Sequence, residues 1–264
     1  MRANHVQQTW EQGGSVVTAW LNVGNSYVAE LMAHEAFDCL TVDMQHGVVG
    51  YEDAVVMLQA ISTTGKTPFV RVPWNDPAII MKVLDAGAYG IICPMVNSKA
   101  EAEAFVGACR YAPQGYRSFG PNRALLYAGN DYFTHANDTV VTMAMIETAE
   151  AVENLEEILA VPGLDAIYVG PADLSISLTG QRSGDYTDPE LVAVLDHILV
   201  TAQKFGIRAG LHTGSPEYAL KMFEKGFQFA AIQSAASYMA TEAKRVLAVT
   251  GRTGSEQKRQ VGPY

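Results

Sequence analysis

Short apolar runs rich in β-branched residues recur along the chain, each followed by polar or glycine punctuation and then by a stretch with helical period. The runs fall at residues 15–22, 39–44, 68–73, 90–96, 140–147, 166–173, 207–213 and 227–234. Helical spacing fills 25–36, 52–64, 76–87, 98–110, 149–160, 188–205, 215–226 and 236–249. Asn75-Asp76-Pro77, Asp188-Pro189 and Ser215-Pro216-Glu217 are helix starts. Each puts a short side-chain acceptor ahead of a proline, whose missing N–H costs a first turn nothing. Strands alternating with helices in this way predict an α/β fold, a (β/α)8 TIM barrel. A doubly wound sheet is the alternative, weakened because no G-x-G-x-x-G turn follows the first strand. No linker or low-complexity stretch interrupts the pattern, so residues 1–264 are read as one domain. One connection departs from the rule: residues 112–137, "APQGYRSFGPNRALLYAGNDYFTHAN", read as a long polar loop, a class that is usually functional. The tail "GRTGSEQKRQVGPY" is read as either disordered or docked on a neighbouring subunit.

Composition narrows the partners. At 264 residues and 48% hydrophobic, the chain can bury a full core. A formal net charge of −10 disfavours nucleic acid and anionic membrane. No apolar stretch approaches the roughly 20 residues of a membrane span, and "MRANHVQQTWEQGG" lacks the apolar centre of a signal peptide. Cys39, Cys93 and Cys109 are odd in number and lack metal-type spacing, so they are read as buried thiols of a cytoplasmic protein.

Barrel chemistry gathers where strands end, at the C-terminal face. The second strand runs into "VDMQHG", placing Asp43 three residues before His46. The spacing suits an imidazole base oriented by a carboxylate; a polar strand end that caps the next helix is the plainer alternative. Arg71, inside the apolar "FVRVP", is a cation in a strand and needs an anionic partner, whether a substrate oxygen or a structural ion pair with Asp43 or Glu147. Glu147 and Asp173 close adjacent strands, which lie about 4.8 Å apart. Carboxylates so placed can share a hard cation, Mg²⁺ or Mn²⁺, with water and substrate completing its shell. Helix capping is the alternative for each. His5, His34, His135 and His197 are read as surface residues, and His212, after the seventh strand, as a weaker site candidate. Lysines lie on helices, ahead of strands or in the tail; none ends a strand, which disfavours Schiff-base catalysis.

"VDMQHG", "FVRVP", "AMIETAEAVENLEEIL" and "YVGPADLS" together resemble the metal-dependent pyruvate aldolases of the HpcH/HpaI family, in order and over most of the chain. The resemblance implies a barrel whose last helix is exchanged between subunits, in a homo-oligomer that is commonly a hexamer built as a trimer of dimers. It implies reversible cleavage of 4-hydroxy-2-oxo acids to pyruvate, or a related 2-oxo acid, and an aldehyde. Carried over by motif, Glu147 and Asp173 are the ligands of a divalent metal, Mg²⁺ or Mn²⁺ first and Co²⁺ or Zn²⁺ second. Arg71 contacts the ketone or enolate oxygen, and His46 with Asp43 forms the base machinery. The backbone around Gly170, Pro171 and Ala172, beside Asp173, binds the pyruvate carboxylate, and Arg123 reaches the acceptor or a neighbouring site. Met145 stands where many members have glutamine, and Gln45 where many have glutamate. Competing expectations are a carbon–carbon lyase acting on a coenzyme A thioester and a barrel that binds a 2-oxo acid without turnover.

Overall fold

A computed structural model describes residues 1–252; the part of the tail from 253 on lies outside the described residues. Strands β1 (Val16–Leu21), β2 (Cys39–Asp43), β3 (Thr67–Arg71), β4 (Gly90–Cys93), β5 (Val141–Ile146), β6 (Ala166–Val169), β7 (Arg208–Thr213) and β8 (Phe229–Ile232) close into a parallel barrel in sequence order, with β8 pairing back onto β1. The (β/α)8 reading is therefore the observed one, and the doubly wound alternative is overturned by that closure. The connecting helices are α2 (Ser26–His34), α3 (Tyr51–Ile61), α4 (Pro77–Asp85), α5 (Lys99–Cys109), α8 (Ala149–Glu153) with α9 (Leu155–Leu159), α11 (Pro189–Lys204) and α12 (Pro216–Lys225). Helix α13 (Ala235–Val249) follows β8. The start signals act as read: the side chains of Asp76, Asp188 and Ser215 accept backbone N–H bonds from the first turns of α4, α11 and α12.

Strand alternation sorts the core into two shells. Outward residues such as Leu40, Val42, Val70 and Ile91 pack under the helices. Inward ones, among them Trp20, Cys39, Phe69, Met143, Met145, Tyr168 and Phe229, fill the barrel. Because side chains repeat every second residue, Asp43 shares the inner face with Cys39, and Arg71 shares it with Phe69. The β2–β3 register sets Asp43 directly opposite Arg71.

Several elements differ from the sequence reading. Helix α1 (His5–Glu11), too short for a periodic signal, is capped by Asn4 and inserts Val6 and Trp10 into the interior cluster. Residues 112–137 are not an open loop. They contain α6 (Asn122–Ala128) and most of α7 (Tyr132–Thr139), packed around buried Tyr89, Tyr127 and Tyr132. Tyrosine fits such a segment because its ring supplies apolar area and its hydroxyl a polar contact: Tyr132 accepts a 2.9 Å bond from the buried Arg117. The run 166–173 ends as a strand at Val169, because Gly170 and Pro171 open a further helix, α10 (Pro171–Thr179). The stretch 149–160 is broken at Asn154 into α8 and α9. All three cysteines are buried and free.

Candidate active site

Asp43, the last residue of β2, is fully buried. Its Oδ1 accepts from Arg71 Nε at 2.8 Å and its Oδ2 from Arg71 Nη2 at 2.7 Å, a two-point ion pair with both members inside the barrel. Trp20 Nε1 donates to the same Oδ2 at 3.1 Å. The backbone N–H groups of Gln45 and His46 donate to Oδ1 at 3.1 and 3.3 Å. Burial alone would raise this carboxyl; the Arg71 charge and these donors outweigh it and hold Asp43 below the usual carboxylate range. The Asp43 carboxylate thus pairs with Arg71 and accepts from the His46 backbone amide, which shapes the turn that carries the imidazole.

His46 lies exposed at the rim. Partial desolvation lowers its imidazole below the usual histidine range, the Arg71 charge adds to this, and Asp43 and Asp173 oppose it. A neutral imidazole near pH 7 can accept a proton, which a base requires. The turn is tight: a Cβ on Gly47 would stand 2.2 Å from the Asp43 carbonyl oxygen. No larger residue fits there without moving the β2 end.

Glu147 follows β5 and is 2% exposed. Its Oε1 accepts a 2.8 Å bond from the Met95 N–H, in a turn where Met95 holds φ 55°. Burial pushes the carboxyl up to about 7; the Met95 bond and the Arg71 charge pull it down, and the nearby Asp173 charge pushes it further up. Capping is not its role, because Thr148 caps α8 by accepting from the Ala151 N–H. Asp173 lies in the first turn of α10, whose N-cap is Gly170. That elbow abuts the acid pair: a Cβ on Gly170 would stand 2.5 Å from Glu147 Oε2. Tyr186 pins the elbow by donating its hydroxyl to the Pro171 carbonyl.

Arg71, Asp43, His46, Glu147 and Asp173 therefore gather at the C-terminal rim, each within electrostatic reach of others in the group. Their chemistry fits a hard divalent cation: a desolvated carboxylate just after β5 and a second in the first turn of α10, beside helix-terminal amides. Among the described residues no group of three or more His, Cys, Asp or Glu is disposed to enclose an ion, so the pair matches an open site completed by water and substrate better than a closed zinc site. Of the proposed carboxylate cradle, Pro171 lacks an N–H, leaving the amides of Gly170 and Ala172 at the start of α10 to donate.

Arg123 is the exception, and the reading that it reaches an acceptor within its own chain is corrected. It sits on α6 and donates to the Ala86 carbonyl and, at 3.3 Å, to Ser62 Oγ. Both partners precede strand starts, so Arg123 stands at the end of the barrel opposite the other candidates. Sequence reasoning also passed over two interior residues. Trp20, which touches Asp43, and Tyr168, hydrogen-bonded to His212 Nδ1 at 3.1 Å, read as ordinary strand aromatics. His212 is buried near the end of β7, whereas His5, His34, His135 and His197 are exposed as expected.

A family model described as HpcH/HpaI aldolase/citrate lyase matches residues 17–237. The chain is 40% identical over 245 residues to the hydroxypyruvate/pyruvate aldolase of Rhizorhabdus wittichii, covering 93% of this chain and 98% of the relative. It is 38% identical over 240 residues to the 2-dehydro-3,6-dideoxy-6-sulfogluconate aldolase of Pseudomonas putida, covering 90% of this chain and 93% of the relative. Its fold matches the crystal structure of an HpcH/HpaI aldolase/citrate lyase family protein from Burkholderia cenocepacia J2315 with a TM-score of 0.87 at 27% identity, over 95% of this chain and all of the other.

Proposed function

The chain belongs to the HpcH/HpaI aldolase/citrate lyase family, and from that premise we propose that it is a divalent-metal-dependent aldolase. It cleaves 4-hydroxy-2-oxo acids reversibly to pyruvate, or a related 2-oxo acid, and an aldehyde. The observation that carries this reading is the acid pair: a buried Glu147 pushed up to about 7 beside Asp173, at a glycine elbow that admits no side chain. Oxygen donors of this kind favour Mg²⁺ or Mn²⁺ over Co²⁺ or Zn²⁺.

Glu147 and Asp173 would hold the ion, which when bound supplies the positive charge that polarises the ketone of a 2-oxo acid. The amides of Gly170 and Ala172 orient the substrate carboxylate at the α10 terminus. Arg71, its orientation set by Asp43 along the Nε–Nη2 edge, places a fixed positive charge where negative charge develops on the ketone oxygen as the C3–C4 bond breaks. His46, its imidazole held neutral, takes the proton of the C4 hydroxyl in cleavage and returns one to C3 of the product. In the synthetic direction the same group removes the C3 proton.

Two wider features belong to the same proposal. Helix α13 buries only Ala235 of its 15 residues, and Met239, Val246 and Leu247 form an apolar face about half exposed. That face supports a homo-oligomer, a hexamer built as a trimer of dimers, in which α13 is exchanged between subunits; Arg123 would then serve a neighbouring site. Among the described residues no helix is long and apolar enough to cross a membrane. Together with the three buried free thiols this supports a cytoplasmic location.

Release of pyruvate from 4-hydroxy-2-oxo acids, measured with chelator and with Mg²⁺ or Mn²⁺ restored, tests the function. Turnover should vanish with chelator and return with either ion. Turnover that ignores chelator, or that requires a coenzyme A thioester, or binding of pyruvate with no turnover on a panel of aldehydes, would each replace this reading.

A further inference from the structure

Trp20 lies on the inner face of β1 and is fully buried. Bulk alone could be supplied there by phenylalanine or leucine. Its one polar atom, however, is aimed at the Asp43 oxygen that also receives Arg71 Nη2. The Arg71 guanidinium carbon stands 4.7 Å from the Trp20 ring centroid, over the ring. The same indole is braced from across the barrel. Tyr168 of β6 stacks on it with centroids 5.7 Å apart and planes 10° from parallel. His212 of β7 meets it edge-on at 5.1 Å and 85°. These two brace each other through the 3.1 Å bond between the Tyr168 hydroxyl and His212 Nδ1.

We propose that Trp20, clamped by the Tyr168–His212 pair, is a positioning residue that sets the rotation of the Asp43–Arg71 ion pair. The inference rests on the aldolase reading for its consequence, not for its geometry. Arg71 holds Asp43 by two nearly equal bonds, and a two-point pair can still pivot as a unit about the Asp43 side-chain torsions. The indole N–H fixes one carboxylate oxygen from a third direction, and the stacked guanidinium is held against the same ring. Tyr168 and His212, on the far strands, keep the indole from rotating in turn. The barrel thereby links β6 and β7 to the charge at the end of β3.

The test is Trp20→Phe, which keeps the ring and deletes the donor. Loss of one hydrogen bond to a charged group predicts a fall in kcat of about 10- to 100-fold, with KM for the 2-oxo acid close to wild type and a lower melting temperature, because the buried Asp43 oxygen loses a donor and the smaller ring leaves space in the core. Combined with Asp43→Asn, the two losses should be strongly non-additive, because both act through one carboxylate. In the wild-type protein without substrate, the Trp20 indole N–H resonance, assigned by its absence in Trp20→Phe, should move in Asp43→Asn and in Tyr168→Phe. This readout needs no turnover, so an inactive wild type would sink the aldolase reading while leaving the positioning claim measurable. A wild-type rate in Trp20→Phe, additive losses, or an indole resonance indifferent to Asp43→Asn would overturn the proposal. If Trp20→Phe does not fold, the same cycle between Tyr168→Phe and Asp43→Asn decides it.

Discussion

Burial leaves Glu147 protonated up to about pH 7 in the metal-free chain, against an ordinary value of 4.5. The sign of the consequence follows from proton counting. Between those two values the folded state keeps a proton that the unfolded state has released, so stability contributed by this group falls as pH rises from 4.5 and levels off above about 7. A divalent ion binds the ionised carboxylate, so its affinity should rise with pH over the same interval and each ion bound there should release a proton. Melting curves with and without Mn²⁺ across that range should show ion-induced stabilisation growing toward neutral pH. Glu147→Gln should abolish both the slope and the stabilisation. Stabilisation by the ion that is constant across the range, or that persists in Glu147→Gln, would remove Glu147 from the ion.

At the scale of elements, function depends on how strands end. β5 runs straight into Glu147, while β6 stops at Val169 and gives way to α10 at a glycine-proline elbow. The elbow brings helix-terminal amides and Asp173 against Glu147, and only a glycine fits there. Gly170→Ala should therefore push Glu147 aside by about an ångström and lower kcat/KM by about a hundredfold. Gly65, where a Cβ would meet nothing within 4 Å, is the control: Gly65→Ala should leave kinetics and melting temperature unchanged. Equal kinetics in the two variants would show that the elbow geometry is irrelevant to catalysis.

For the whole molecule, α13 is the element whose packing the barrel does not account for. Its face of Met239, Val246 and Leu247 is half exposed in the single chain. Full burial of each such side chain would contribute about 1.5–3 kcal/mol, so an oligomer that covers the face gains enough to depend on it. Val246→Asp with Leu247→Asp should reduce the solution mass measured by light scattering while leaving the circular dichroism of the barrel intact. An unchanged mass would show that α13 plays no part in assembly.

Strand and helix alternation, helix caps and the short list Asp43, His46, Arg71, Glu147 and Asp173 could all be read from the chain, because each is a local signal: a period of two or near 3.6, a proline after an acceptor, a charge at the end of an apolar run. Closure of the sheet depends on β8 pairing back onto β1, at the other end of the sequence, whereas Glu147 and Asp173 follow the consecutive, paired strands β5 and β6. The contacts inside the cluster were decided by tertiary structure for the same reason. Asp43, three residues before His46, reads locally as its orienting partner; the β2–β3 register also sets its carboxylate on Arg71, while the same carboxylate accepts from the His46 backbone amide. Trp20, a plain apolar letter in "SVVTAWLN", gains its meaning from one N–H aimed across to β2. Arg123, a charged residue in a stretch read as loop, is carried to the opposite rim by two helices whose tyrosines conceal their apolar faces. Local periodicity determines which elements form and which residues stand at their ends. Which of those residues touch is set by register and closure, since a contact between distant segments leaves no periodic trace in either one.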